Sequence, residues 1–233
     1  MRFATVAGPP SSGKTSVLLR ALEALRVQGV RAGVVKLDCL SSSDGALYEA
    51  RGFPVRVGLS GGLCPDHFFV ANAPEALAWA GREGLDLLVA ESAGLCNRCA
   101  PHVKGVLAVC VVDNLSGIDT PAKIGPMLRL ADAVVITKGD IVSQAEREVF
   151  SHRVRQVAPR ASALHVNGLT GQGALALARL LARAPEAAGL DGRLLRFSMP
   201  AALCSYCLGE RRIGEDRQLG NVRRMNFEEP VSK

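Results

Sequence analysis

The octapeptide Gly8–Thr15, GPPSSGKT, lies between an apolar hexapeptide and an apolar-periodic run, and few folds accept that order. Arg2-Phe3-Ala4-Thr5-Val6-Ala7 reads as a buried strand, and Ser16–Leu25 (SVLLRALEAL) reads as a helix. The spacing G-x-x-x-x-G-K-[ST] at such a junction is the phosphate-binding loop pattern. Gly8, Pro9, Pro10, Ser11, Ser12, Gly13, Lys14, Thr15 and Ser16 would wrap the outer phosphates, using the backbone N–H groups the loop possesses. Gly8 and Gly13 allow the turn and the close approach. Lys14 would act on charge that develops between the outer phosphates, and Thr15 would hold Mg²⁺. A merely glycine-rich turn would leave the Lys-Thr pair without a reason. The pattern therefore implies a nucleoside triphosphate site.

Apolar strand-like runs alternate with helical stretches along the rest of the core. Strands are expected at 31–37, 54–58, 85–90, 106–112, 133–136 and 163–166. Helices are expected near 66–80, 120–130, 143–157 and 173–184. This alternation predicts an α/β fold, a mostly parallel sheet covered by helices on both faces, with ligands gathered at the carboxyl ends of the strands. Ala184-Pro185-Glu186-Ala187-Ala188-Gly189 marks the end of the core. The expected division is a nucleotide-binding domain at 1–184 and a short cysteine-containing appendage at 185–233.

Composition narrows the partners. Only 4% of the 233 residues are aromatic, and the net charge of +6 is spread without a long basic run, so nothing indicates nucleic-acid binding. No apolar run is long enough to span a bilayer and no signal peptide is evident, so a cytoplasmic location is expected. The seven cysteines of a chain in a reducing compartment are then not a disulfide framework. Cys39 and Cys110 lie in or beside apolar strands and read as packing residues. Cys64, Cys96, Cys99, Cys204 and Cys207 fall in turn-like segments, where metal binding is the first alternative.

Three more segments follow the phosphate loop in the order a guanine-nucleotide site needs. Glu91-Ser92-Ala93-Gly94 ends an apolar strand; Glu91 can organise Mg²⁺ directly or through water, and Gly94 can present its N–H to the outer phosphate. Thr137-Lys138-Gly139-Asp140 resembles the N-K-x-D guanine pattern with Thr for Asn. Asp140 would accept the two guanine donors that adenine lacks, and the Lys138 stem would pack along the base. Asn167-Gly168-Leu169-Thr170-Gly171-Gln172-Gly173 resembles the last loop of such sites, which cups the guanine carbonyl oxygen; otherwise it is a turn capped by Thr170. Asp38 would position Mg²⁺ or the attacking water, or else cap the turn it begins, and Asp44 is a weaker candidate from the same segment. Catalysis would rest on Lys14, Asp38 and Glu91, through positioning and electrostatic stabilisation.

Together GPPSSGKT, ESAG, TKGD and NGLTGQG resemble one subgroup of P-loop GTPases: the nickel-insertion proteins of hydrogenase maturation (HypB) and urease maturation (UreG), and the cobalamin-linked CobW and MeaB types. The resemblance covers about residues 1–184. The middle of the chain is most similar to the hydrogenase type. Gly61-Gly62-Leu63-Cys64-Pro65-Asp66-His67 occupies the place of that family's glycine–cysteine–histidine metal segment. Glu91 to Pro101, ESAGLCNRCAP, is similar to its E-N-V-G…C-P segment. Three departures stand out: Pro65 follows Cys64 where the family has His, Cys96-x-x-Cys99 carries an extra cysteine, and the histidine-rich tract is absent.

The resemblance implies nickel or zinc bound by these cysteines across a nucleotide-dependent homodimer. Cys64, Cys96, Cys99 and His67 would make a Cys/His set that suits zinc, with nickel or iron also possible. Cys204 and Cys207 lie outside the resemblance and supply only two ligands, so a zinc ion or an iron–sulfur cluster there needs two more, most simply from a second copy. The expected function is a GTP-hydrolysing metallochaperone-like switch acting on a client metalloenzyme or its accessory protein. Two rivals remain at the level of sequence: an ATPase that drives electron transfer through a cluster at Cys204 and Cys207, and a redox or metal sensor with a structural nucleotide.

Overall fold

Every apolar run expected to pair becomes a strand. In the computed structural model β1 (Arg2–Ala7), β2 (Ala32–Asp38), β3 (Val55–Leu59), β4 (Leu87–Ser92), β5 (Leu107–Asp113), β6 (Ala133–Thr137) and β7 (Ser162–His165) form one sheet. Its order is β3-β2-β4-β1-β5-β6-β7, and each pair is parallel. In the central strands β1, β4, β5 and β6, β-branched and small residues bury both faces, and the edge strands β3 and β7 are only partly buried. The structure describes residues 1–94, 101–196, 210–214, 217 and 222–228.

The helices are α1 (Lys14–Val27), α2 (Asp44–Glu49), α3 (Pro65–Arg82), α4 (Thr120–Lys123), α5 (Gly125–Arg129), α6 (Gln144–Val157) and α7 (Ala174–Ala182). On α1, Val17, Leu18, Ala21, Leu22 and Leu25 recur at helical spacing and bury against Val6, Val89 and Val109 of the sheet. The other face is covered by α3, by Met127 and Leu128 of α5, and by Phe150 and Val154 of α6. The single helix expected at 120–130 is two short ones, since Pro126 has no N–H to carry the ladder through. Helix α2 was not expected from its serine- and glycine-rich surroundings; the fully buried Tyr48 fixes it to the core.

Beyond residue 184 the described residues pack into the same core. Leu190, Leu195, Ile213, Met225 and Phe227 join Phe3, Val35 and Trp79 in one cluster. The buried Asn72 side chain holds the last segment: its amide donates to the Arg223 carbonyl at 3.0 Å, and its oxygen accepts from Met225 N at 2.7 Å. Gly58 makes room for this segment: a Cβ there would overlap the Met225 sulfur, meet Phe68 Cε1 at 2.7 Å and push both aside. Arg196 forms a two-pronged pair with Asp132, each contact 2.7 Å, and fastens the start of this segment beneath β5. No helix among the described residues is long and apolar enough to cross a membrane.

Candidate nucleotide-binding site

The order of strands brings β1 between β4 and β5, so the loop after β1 opens in the middle of the sheet's carboxyl edge. Helix α1 begins there with Gly13 in the left-handed region (φ 87°) and no side-chain cap. Its first N–H groups therefore face the loop as a site for an anion. Lys14 is folded into the loop, with Nζ donating to the carbonyls of Gly8 and Pro9 at 2.9 Å each. Burial lowers its pKa, and Lys36 nearby pushes the same way. A phosphate would supply the anionic partner that these carbonyls replace. The loop is also cramped where a phosphate must come close: a Cβ on Gly8 would overlap the Val111 carbonyl oxygen, and one on Gly94 (φ 69°) would overlap that of Gly8.

A buried polar cluster lies at the first turn of α1. Lys36 and Glu91 face each other in register across β2 and β4, on the α1 side of the sheet. Thr15 Oγ1 lies 2.8 Å from Glu91 Oε1 and 2.9 Å from Asp44 Oδ2, and its single proton serves one of the two at a time. Lys36 Nζ contacts the same two oxygens, at 2.9 and 2.7 Å, and Asp38 Oδ2 at 3.6 Å. Tyr48 donates to Glu91 Oε2 at 2.7 Å, so both oxygens of this fully buried carboxylate are engaged. Burial opposes the Lys36 charge, but Glu91 and Asp44 outweigh it and hold the ammonium above its ordinary pKa. Burial opposes the Asp44 charge as well, and the bonds from Lys36 and Thr15 bring its pKa below the usual value. A hydroxyl with three carboxylates is a hard-oxygen donor set, and a cation already bridges it, so the residues fit Mg²⁺.

The segment after β6 is tied to the phosphate loop. Thr137 Oγ1 donates to the Ser12 carbonyl at 2.7 Å, and Lys138 Nζ donates to the Ser11 carbonyl at 2.7 Å. Lys138 itself has a positive φ of 56°, which turns its stem along the pocket mouth. Asp140 is exposed. In the last loop, Asn167 Oδ1 accepts from Leu169 N at 2.8 Å and Thr170 N at 3.0 Å, a side-chain turn that shapes the segment. Gly168 packs on Ser16, where a Cβ would come within 2.7 Å of the serine Cβ. Arg20 of α1 clasps the Gly168 and Leu169 carbonyls. A cavity of about 660 Å³ lies over the phosphate loop and is lined by Lys14, Thr15, Lys36, Asp38, Asp44 and Glu91 among others; Lys138 reaches its wall, while Asp140, Asn167, Gly168 and Leu169 do not line it. Its volume is that of a small-molecule pocket.

The cysteine segments are placed only in part. Cys64 stands at the N-cap position of α3, and His67 lies buried in its first turn. Asp66 accepts a 2.7 Å hydrogen bond from Ser92 at the end of β4, with both side chains buried. The start of α3 is thus bonded to the segment that leads toward Cys96. Cys96, Cys99, Cys204 and Cys207 lie outside the described residues. Among the described residues no group of three or more His, Cys, Asp or Glu side chains is by itself set to hold a metal ion, so Mg²⁺ at the phosphate loop would also need oxygens of the nucleotide.

Sequence reasoning assigned no role to Lys36 or Tyr48 and ranked Asp44 below Asp38. The structure puts Asp44, not Asp38, on the Thr15 hydroxyl. A lysine two residues before the end of an apolar strand was the available signal for Lys36. Cys39, read as packing, is half-buried and lines the pocket.

Strand order, the uncapped helix after β1 and the Lys14–Thr15 pair define a P-loop nucleotide-binding protein. The chain belongs to the CobW/HypB/UreG family, whose nucleotide-binding domain matches residues 3–165. An uncharacterized protein of Methanocaldococcus jannaschii is 46% identical over 97% of both chains, a match that necessarily takes in most of the segment beyond residue 190. A urease accessory protein UreG 2 of a Bradyrhizobium species is 28% identical over 76% of this chain and 88% of its own. In fold the chain is similar to HypB from Helicobacter pylori, solved in complex with nickel, with a TM-score of 0.64, 19% identity, and 78% and 85% of the two chains covered.

Proposed function

We propose that this protein is a GTP-hydrolysing metallochaperone-like switch that binds nickel or zinc as cargo and serves a client metalloenzyme or its accessory protein. The Ser92–Asp66 hydrogen bond carries the reading. It joins the strand end that meets the nucleotide to the helix that bears Cys64 and His67. A change at Glu91–Gly94 on γ-phosphate binding or loss then reaches the cysteine segments directly.

In this reading Lys14 and the α1 N-terminus hold the outer phosphates. Thr15, Glu91 and the carboxylates of Asp38 and Asp44 hold Mg²⁺, which supplies charge neutralisation on the phosphates. Asp38 orients the attacking water. Thr137, Lys138 and Asp140 select guanine, aided by Asn167, Gly168 and Leu169. Cys64, His67, Cys96 and Cys99 take the cargo. Cys204 and Cys207, in the appendage, take a second centre shared between two copies as a zinc ion or an iron–sulfur cluster. The protein works as a cytoplasmic homodimer.

Steady-state hydrolysis of GTP and ATP tests the nucleotide half. GTP is expected to be preferred, Lys14→Ala to abolish turnover with its thermal melt retained, and Asp140→Asn to shift preference toward xanthine nucleotide. A preference for ATP, or unchanged turnover in Lys14→Ala, overturns it.

A further inference from the structure

The nucleotide reading gives Lys36 no task, although it lies at the centre of the site. Its side chain is 3% exposed and extends from β2, a rigid strand in the interior of the sheet. Its nitrogen and the Thr15 hydroxyl meet the same two oxygens, Asp44 Oδ2 and Glu91 Oε1, at distances from 2.7 to 2.9 Å. Hydroxyl, carboxylate, ammonium and carboxylate thus close a ring. A magnesium ion prefers such oxygens at about 2.0–2.1 Å in an octahedral shell. An ammonium already between them leaves no room there, and like charges exclude each other.

We propose that Lys36 is the resident cation of the magnesium position in the nucleotide-free protein, and that the magnesium nucleotide enters by displacing it from Asp44 and Glu91 toward the outer phosphates. This rests on the reading of Thr15 and the carboxylates as the magnesium site. The physical need is plain. Glu91 is fully buried, and a buried carboxylate without a counter-charge is strongly destabilising. Lys36 supplies that counter-charge, 2.9 Å from Glu91 Oε1. It also faces the cavity, so the ammonium has a place to turn when a triphosphate arrives. The exchange has a mechanical result. Asp44 is the first residue of α2, and Lys36 and Thr15 hold it. Departure of Lys36 releases one of those two bonds, so the segment between β2 and α2 responds to loading.

Binding of Mn²⁺, a paramagnetic substitute for Mg²⁺, tests this by electron paramagnetic resonance on the full chain without nucleotide. Lys36→Met is expected to bind Mn²⁺ at least about tenfold more tightly than wild type, as removal of about 1.4 kcal/mol of competition would give. Lys14→Met removes a nearby charge of the same sign that bonds to loop carbonyls instead, and is expected to gain less. Equal affinity in Lys36→Met and wild type, or an equal gain in Lys14→Met, overturns the proposal. Lys36→Gln serves if the methionine variant does not fold. Wild type supplies an independent measurement: the ¹⁵N signal of the Lys36 ammonium, assigned with Lys36→Arg, is expected to shift with GDP and Mg²⁺ but not with GDP and a chelator. An identical signal in both states overturns the proposal. Failure of Mn²⁺ to bind wild type even with GDP would instead sink the magnesium assignment of Thr15 and its carboxylates.

Discussion

Thr137→Val removes one hydroxyl and keeps the shape of the side chain. The lost group donates to the Ser12 carbonyl at 2.7 Å and is 2% exposed as part of its residue. It is the strut between the end of β6 and the phosphate loop, at the position where the N-K-x-D pattern has asparagine. Without it a buried carbonyl in the loop has lost its partner, at a cost of about 1–3 kcal/mol. For a chain of this size each kcal/mol lowers the melting temperature by about 2–4 °C, so a fall of roughly 2–12 °C is expected. The loop must also be reordered by the ligand, and if half of that cost enters binding, GDP affinity drops by roughly twofold to twelvefold. Thr137→Ser keeps the donor and should stay near wild type in both measurements. Differential scanning calorimetry and isothermal titration with GDP read the two effects. A valine variant that melts and binds like wild type would refute the idea that Thr137 stands in for the asparagine through this bond.

Gly94→Ala should fold but lose most nucleotide binding. Its left-handed backbone costs a side chain about 1–2 kcal/mol, and the methyl would push the Gly8 carbonyl out of the loop; GDP titration and a thermal melt check it. His102 gives a pH dependence. Burial, and then the Arg196 charge, bring its pKa down from 6.5 to about 3, so it stays neutral in the folded state while the unfolded chain takes up a proton below pH 6.5. Stability is therefore fully present above 6.5 and falls as pH drops toward 3, by on the order of 1 kcal/mol per pH unit. Denaturant titrations between pH 7 and 4 should show that slope in wild type and a shallower one in His102→Gln.

The phosphate loop was legible in the sequence because it is local. Strand, loop and helix follow one another, and the Lys-Thr pair fixes the register of all three. The strands were legible because each carries an apolar stretch, unbroken through Val112 in β5 and Ile136 in β6 and interrupted by Lys36 in β2 and Arg56 in β3. Lys36 and Tyr48 were not, because their meaning comes from pairing across strands. Lys36 reaches Glu91 only because β2 and β4 are in register, and Tyr48 reaches it only because α2 folds back over the sheet. Asp44 outranks Asp38 at Thr15 for the same reason, since the five-residue loop between β2 and α2 decides which carboxylate arrives. The burial of Met225 against Gly58 is likewise invisible in a sequence where the two are far apart.

The coupling between nucleotide and cargo is the central claim. Nickel and zinc titrated into apo protein loaded with GDP, and then with a non-hydrolysable GTP analogue, test it most directly. Affinity should differ between the two states by roughly 5–150-fold, the range of ordinary coupling between sites. Cys64→Ser and Cys96→Ser/Cys99→Ser should abolish both the tight binding and its response. Equal affinities in the two nucleotide states, or cysteine variants that bind metal as well as wild type, would contradict the account.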